Sequence, residues 1–138
     1  MDTFATKEPE TLEWMDNYGG GVLYDVGANI GLFSVFYAKR FESQVYAFEP
    51  SVLNLALLAK NVSRNSVSDK VVLVPMPLSD DFKMAEFRLS MLDEGGSMSD
   101  FGSDSDVAFS SQPSELLYAT WGLPLDAVIE APFSFSPP

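Results

Sequence analysis

Between Val22 and Phe36 the chain reads VLYDVGANIGLFSVF. It opens as a short apolar run, the pattern of a strand buried on both faces. Gly27 and Gly31 then bracket a turn. From Ile30, apolar side chains recur at Phe33, Tyr37 and Phe41, the three- and four-residue spacing of a helix stripe. A strand, a glycine turn and a helix in that order restrict the chain to few folds. They also put the turn at the carboxyl end of a strand, the edge where open α/β sheets bind ligands. The same unit can serve as a plain chain reversal, so its meaning depends on the elements downstream of it.

The alternation continues. QVYAFEP gives a second strand, ended by Pro50. Ser51 is the expected N-cap of a helix in VLNLALLAKNVSRN, where Leu55, Leu58 and Val62 share a face. Val71 to Val74 gives a third strand, stopped by prolines. Strand, helix, strand, helix, strand favours parallel pairing with right-handed crossovers. The expected fold class is therefore α/β, a doubly wound Rossmann-like sheet. Upstream, EPETLEWMDNY reads as a short helix with Leu12 and Met15 on one side, ended by Gly19, Gly20 and Gly21.

After Asp80 the texture changes. MAEFRLSM puts Ala85, Phe87 and Leu89 on one face and reads as an edge strand. The segment from Asp93 to Glu115 is rich in Gly, Ser and Asp. It reads as a flexible, solvent-exposed loop, with a substrate lid as the functional alternative. LLYATWGLPLDAVIEA reads as a further strand and a short helix, and PFSFSPP as a loop.

Composition excludes several functions. The 8 Lys and Arg face 20 Asp and Glu, for a net charge of −12. Nucleic acid and anionic membrane surfaces are not expected partners, because both require clustered basic residues. There is no histidine and no cysteine. That removes Ser-His-Asp chemistry, disulfides and the usual zinc ligands, and no metal site is expected. Any proton acceptor has to be Asp, Glu, Tyr or Lys, and the sequence singles out no catalytic residue. No signal peptide and no run of roughly 18 apolar residues is visible, so a cytoplasmic protein is expected.

Three features fall at the carboxyl ends of the three strands. The first is DVGANIG, where Gly27 and Gly31 let backbone approach a ligand and the helix beginning near Ile30 offers free N–H groups. The second is Glu49, about 20 residues downstream of Gly27, the interval at which a carboxylate meets ribose hydroxyls. The third is Leu78 to Asp80, where an acid or hydroxyl can meet an adenine amino group; an ordinary turn explains it as well. A dinucleotide fingerprint requires glycine where this chain has Asn29 and Leu32, and there is no G-x-x-x-x-G-K-[ST] phosphate loop. The pattern suits an adenosine ligand without a pyrophosphate.

These segments together, EPETLEWMDNY, VLYDVGANIGLFSVFYAK, VYAFEPSVLNLALLAKNVSRN and VVLVPMPLSD, resemble the FkbM-type family of S-adenosylmethionine-dependent methyltransferases. The resemblance runs from Glu8 to about Ser97, with the Gly95, Gly96, Ser97 turn, and more weakly through TWGLPLDAVI. It implies that Asp25, Gly27, Ala28, Asn29 and Gly31 form the turn against the methionine and ribose sides of S-adenosyl-L-methionine. It implies that Glu49 holds the ribose hydroxyls and that Asp80 lies near the adenine. The family's next landmark, I-K-I-D-V-[DE]-G, does not follow DAVIEAP. Residues 1–138 are thus expected to be the N-terminal portion of a single methyltransferase domain, incomplete at its C-terminus.

The function the resemblance implies is methyl transfer to a hydroxyl of a small-molecule or glycan acceptor. The alternatives are a catalytically inactive cofactor-binding remnant or regulatory module and, more weakly, a nicotinamide dehydrogenase. A sheet without its later strands leaves an apolar edge near the first strand, and self-association through that edge is an expectation.

Overall fold

The computed structural model describes residues 8–90, 95, 99–102 and 115–130. The expectations for PFSFSPP and for most of the Asp93–Glu115 segment lie outside the described residues. In chain order the elements are α1 (Pro9–Tyr18), β1 (Leu23–Val26), α2 (Leu32–Phe41), β2 (Val45–Phe48), α3 (Val52–Arg64) and β3 (Val71–Val74), then β4 (Lys83–Leu89), β5 (Ser99–Phe101), β6 (Leu116–Gly122) and α4 (Leu125–Glu130).

The first six elements form an α/β unit. β1, β2 and β3 pair in parallel in that order, with Leu23, Val45 and Val71 in register. Helices α2 and α3 make the two crossovers and touch each other as well as the sheet. They cover the face that carries Leu23, Val45, Ala47 and Val71, burying Tyr37, Ala38, Leu58 and Val62 against it. Two adjacent parallel crossovers wound over one face are compatible with a Rossmann-like fold. On the opposite face Tyr24 stacks on Tyr46 at 5.4 Å, and Tyr46, Val72 and Val74 line a small apolar cavity with Leu123 and Val128 of the C-terminal part.

Local chemistry explains the helix ends. Pro9 sits in the first turn of α1, where no N–H is required. Gly19 ends that helix with its N–H on the Met15 carbonyl at 2.7 Å, and a Cβ there would meet the Phe41 ring at 2.5 Å. α3 begins at the expected cap: Ser51 Oγ accepts the Asn54 N–H at 3.4 Å.

The last strands form a second, antiparallel sheet in the order β5-β4-β6. Its inner face carries buried Phe87 and Leu89, and Phe87 packs on Tyr118. Two seams join it to the first unit. Leu78 bridges Leu123, with the Ser79 N–H on the Leu123 carbonyl at 3.0 Å. The Tyr118 hydroxyl donates to the Pro50 carbonyl at 2.6 Å and accepts the Val52 N–H at 3.2 Å.

Four expectations need correction. β1 is not buried on both faces: Leu23 is buried, but Val26 on the opposite face is 56% exposed. A short apolar run shows neither which faces are covered nor how many neighbours a strand has. β4 is central in its sheet rather than an edge strand, for the same reason; alternation encodes one buried face and not the number of partners. β5 forms inside the segment read as loop, because Phe101 packs over Gly122, where a Cβ would meet the ring at 2.5 Å. Finally, α2 starts at Leu32 and not near Ile30, because Asn29 and Gly31 take left-handed φ of +52° and +82° that no right-handed helix includes.

Candidate functional site

The turn between β1 and α2 is held from every side. The N–H groups of Gly27 and Ala28 both reach the Phe48 carbonyl, at 3.0 and 2.9 Å. Asn29 donates its N–H to Glu49 Oε2 at 2.8 Å. Asn61, on α3, donates Nδ2 to the Ile30 carbonyl at 2.8 Å. Gly31 packs against α3 so closely that a Cβ would collide with Leu58 Cδ1. The turn is thereby fixed to β2 on one side and α3 on the other.

Above it opens a cleft of about 260 Å³, lined by Gly27 and Asn29 of the turn, by Phe48, Glu49 and Pro50 after β2, by Asn54 of α3, and by Met76, Pro77 and Leu78 after β3. Val26 and Ser99 complete it. Of the residues expected from the sequence, the structure brings Gly27, Asn29 and Glu49 into this cleft. At Gly27 φ is +74° and a Cβ would meet nothing within 4 Å, so backbone faces open space there.

The other four expected residues do not line the cleft. Ala28 is buried beneath the turn, and Gly31 serves the contact with α3. Asp25 points back under the turn, where Ser34 of α2 donates Oγ to its carboxylate at 2.5 Å. Asp80 lies outside: its side chain is 86% exposed and pairs with Lys83 Nζ at 2.9 Å. Met76, Pro77 and Leu78 bring the segment after β3 to the cleft, and Asp80 lies beyond them, paired with Lys83.

Glu49 is the chemical centre. It is 5% exposed, and its oxygens accept two backbone N–H groups, from Asn29 at 2.8 Å and from Ser51 at 2.7 Å. Burial pushes its pKa above the ordinary value, against the pull of those two hydrogen bonds, and the charge of Asp25 adds to the rise. Asp25 is raised too, by burial first, with the Ser34 hydrogen bonds opposing. Each Glu49 oxygen has a second lone pair, so the carboxylate can still accept from a ligand. Among the described residues, neither lysine nor arginine lines the cleft. Its field is that of an acid, hospitable to cations and hydroxyl donors and hostile to phosphate.

Sequence reasoning missed Asn54 and Gly95. Gly95 donates its N–H to Asn54 Oδ1 at 2.8 Å, and its carbonyl accepts from Asn29 Nδ2 at 3.0 Å. Asn54 had a readable signal: it falls on the buried stripe of α3 with Leu58 and Val62, where a hydrocarbon is the norm. Gly95 entered only as part of the Gly95, Gly96, Ser97 turn in the family resemblance, with no role in the site attached to it. Asn29 Oδ1 is buried without a hydrogen-bond partner among the described residues. No group of three or more His, Cys, Asp or Glu suited to a metal occurs among them, and no helix there is long and apolar enough to cross a membrane.

No protein-family model matches the chain. Among curated proteins, it is similar to the 31-O-demethyl-FK506 methyltransferase FkbM of Streptomyces tacrolimicus, 42% identical over 53 residues. The match supports a relationship to methyltransferases. It covers 38% of this chain and 20% of the relative, so it is narrower than the Glu8–Ser97 resemblance read from the motifs.

Proposed function

We propose that the cleft binds the adenosine end of S-adenosyl-L-methionine and that the chain belongs to an O-methyltransferase acting on a small-molecule or glycan hydroxyl. The observation that carries this reading is Glu49, a buried carboxylate at the end of β2, held by two backbone N–H groups and facing the cleft beside the glycine turn.

The residues fit that ligand. Gly27 leaves its backbone open, Glu49 keeps two lone pairs for vicinal hydroxyls, and Asn29 holds a buried acceptor without a donor among the described residues. The cleft volume, about 260 Å³, is just under the usual ~300–1,000 Å³ of small-molecule sites, which suits a nucleoside rather than a whole dinucleotide. A pyrophosphate fits poorly: Asn29 stands where a second glycine is needed, and the nearest charges are acids. When bound, S-adenosylmethionine supplies an electrophilic methyl group on a sulfonium. This chain's residues bind and orient: Glu49 grips hydroxyls, and the fixed turn sets where the rest of the ligand leaves the cleft. The relative's name, a 31-O-demethyl-FK506 methyltransferase, supports oxygen as the acceptor atom.

Calorimetric titration with S-adenosylhomocysteine, S-adenosylmethionine and NAD tests the reading. Binding of the sulfur nucleosides and not of NAD is expected, with a loss of at least about 10-fold in Glu49→Gln, which removes a charge-assisted pair of hydrogen bonds. NAD binding, or unchanged affinity in Glu49→Gln, would overturn it.

A further inference from the structure

We propose that Asn54 is a positioning residue: acting through the Gly95 peptide and Asn29, it holds the Glu49 carboxylate in the plane that receives a ligand's vicinal hydroxyls. The proposal rests on the adenosine reading for its ligand, but its geometry stands without one.

Five hydrogen bonds close a ring through Glu49, Asn29, Gly95, Asn54 and Ser51, and Glu49, Asn29 and Asn54 of that ring line the cleft. Ser51 N–H reaches Glu49 Oε1 at 2.7 Å, and Asn29 N–H reaches Glu49 Oε2 at 2.8 Å. Asn29 Nδ2 reaches the Gly95 carbonyl at 3.0 Å, and Gly95 N–H reaches Asn54 Oδ1 at 2.8 Å. Asn54 N–H returns to Ser51 Oγ at 3.4 Å. The ring joins the turn after β1, the start of α3 and Gly95. Both oxygens of Glu49 are members, so the ring fixes the rotation of the carboxylate and not only its position.

The weak member is Asn29. Its φ of +52° is left-handed, a conformation that asparagine visits with the help of a hydrogen bond from its short polar side chain. The side-chain bond to Gly95 is that bond here, and Asn54 is what holds Gly95 in reach. Asn54 is 4% exposed and takes a place on the helix stripe that Leu58 and Val62 fill with hydrocarbon. An amide in such a place satisfies a specific partner rather than filling volume. Losing its acceptor oxygen loosens Gly95, then the Asn29 side chain, then the N–H on Glu49.

The test is a double-mutant cycle with two ligands. Calorimetry would compare S-adenosylhomocysteine and its 2′-deoxy analogue on wild type, Asn54→Ala, Asn54→Asp, Glu49→Gln and Asn54→Ala/Glu49→Gln. Asn54→Ala is expected to weaken S-adenosylhomocysteine roughly 3- to 10-fold, the effect of one hydrogen bond. Asn54→Asp, which keeps the acceptor oxygen, recovers most of that loss. The penalty shrinks for the 2′-deoxy ligand and in the Glu49→Gln background. Equal penalties for both ligands, or full additivity with Glu49→Gln, would overturn the proposal in favour of a general structural role. Should Asn54→Ala not fold, Asn54→Ser, too short to reach Gly95, carries the same comparison. Amide hydrogen exchange supplies a ligand-free arm. Asn54→Ala should speed exchange at Asn29 while leaving Leu58 protected, and unchanged protection at Asn29 refutes the relay. A wild-type chain that binds neither ligand would overturn the adenosine reading, and the exchange arm would still decide the relay.

Discussion

Asn29 gives its backbone N–H to Glu49 across 2.8 Å, so the turn after the first strand and the end of the second are a single hydrogen-bonded unit. Glu49 is therefore structural before any ligand arrives. Replacing it with alanine leaves the N–H groups of Asn29 and Ser51 without their acceptors. Glu49→Ala should lower stability by about 1–3 kcal/mol, read as a shift in the urea midpoint of the ligand-free protein. A midpoint unchanged from wild type would show that water replaces the carboxylate at no cost.

Asp25 and Glu49 both hold protons more tightly in the folded chain than in an unfolded one, chiefly through burial. Where the folded state binds more protons, stability falls as pH rises. The two groups thus weaken the fold above their raised pKa values, and that weakening fades as pH drops toward the ordinary values of 3.8 and 4.5. Asp80 works in the opposite sense: the Lys83 ammonium holds its pKa down at about 2, so its contribution is present above 3.8 and lost as pH falls toward 2. Urea unfolding followed from pH 7 down toward 4.5 should show stability rising as pH falls, with a smaller rise in Asp25→Asn.

Gly27 and Gly31 both have positive φ but face different surroundings. Alanine at Gly31 adds left-handed strain and drives its Cβ into the Leu58 side chain, so Gly31→Ala should cost about 2–4 kcal/mol. Alanine at Gly27 meets open space and should cost only about 1 kcal/mol of strain, while placing a methyl group in the cleft. The pair should therefore separate in two assays, Gly31→Ala in unfolding and Gly27→Ala in ligand binding.

Tyr118 fastens the second sheet to the first unit through its hydroxyl, donating to Pro50 and accepting from Val52. Tyr118→Phe keeps the ring against Phe87 and removes both bonds. A loss of about 1–3 kcal/mol is expected, checked by thermal unfolding; a wild-type melting temperature would mean the seam is held by the Leu78–Leu123 bridge.

The parallel unit was legible because its signals are local. Val71–Val74, the Ser51 cap and the Leu58–Val62 stripe each follow from spacing or a capping side chain, and each appears in the structure. What was hidden depends on partners distant in the chain. Alternation at Ala85, Phe87 and Leu89 marked a buried face but could not show that β5 and β6 lie on either side. In the site, Gly27, Asn29 and Glu49 were placed by the strand ends that carry them. Asp80 was placed by the same rule and departs from it, because Met76, Pro77 and Leu78 take the lining positions after β3 and the acid pairs with Lys83 in solvent. Gly95 is tied to the site by hydrogen bonds to two asparagines from other elements, which no spacing announces.

The Tyr118 seam also bears on the order of folding. Pairing β1 with β2 closes the short stretch between Val26 and Val45, whereas pairing β4 with β6 must close the longer one between Leu89 and Leu116. Longer loops cost more entropy to close, and contacts across them slow the search. The glycine turn and Glu49 need only contacts within the parallel unit. Ser99 joins the lining from β5, so the cleft is complete only once the antiparallel sheet has formed and docked on the parallel unit.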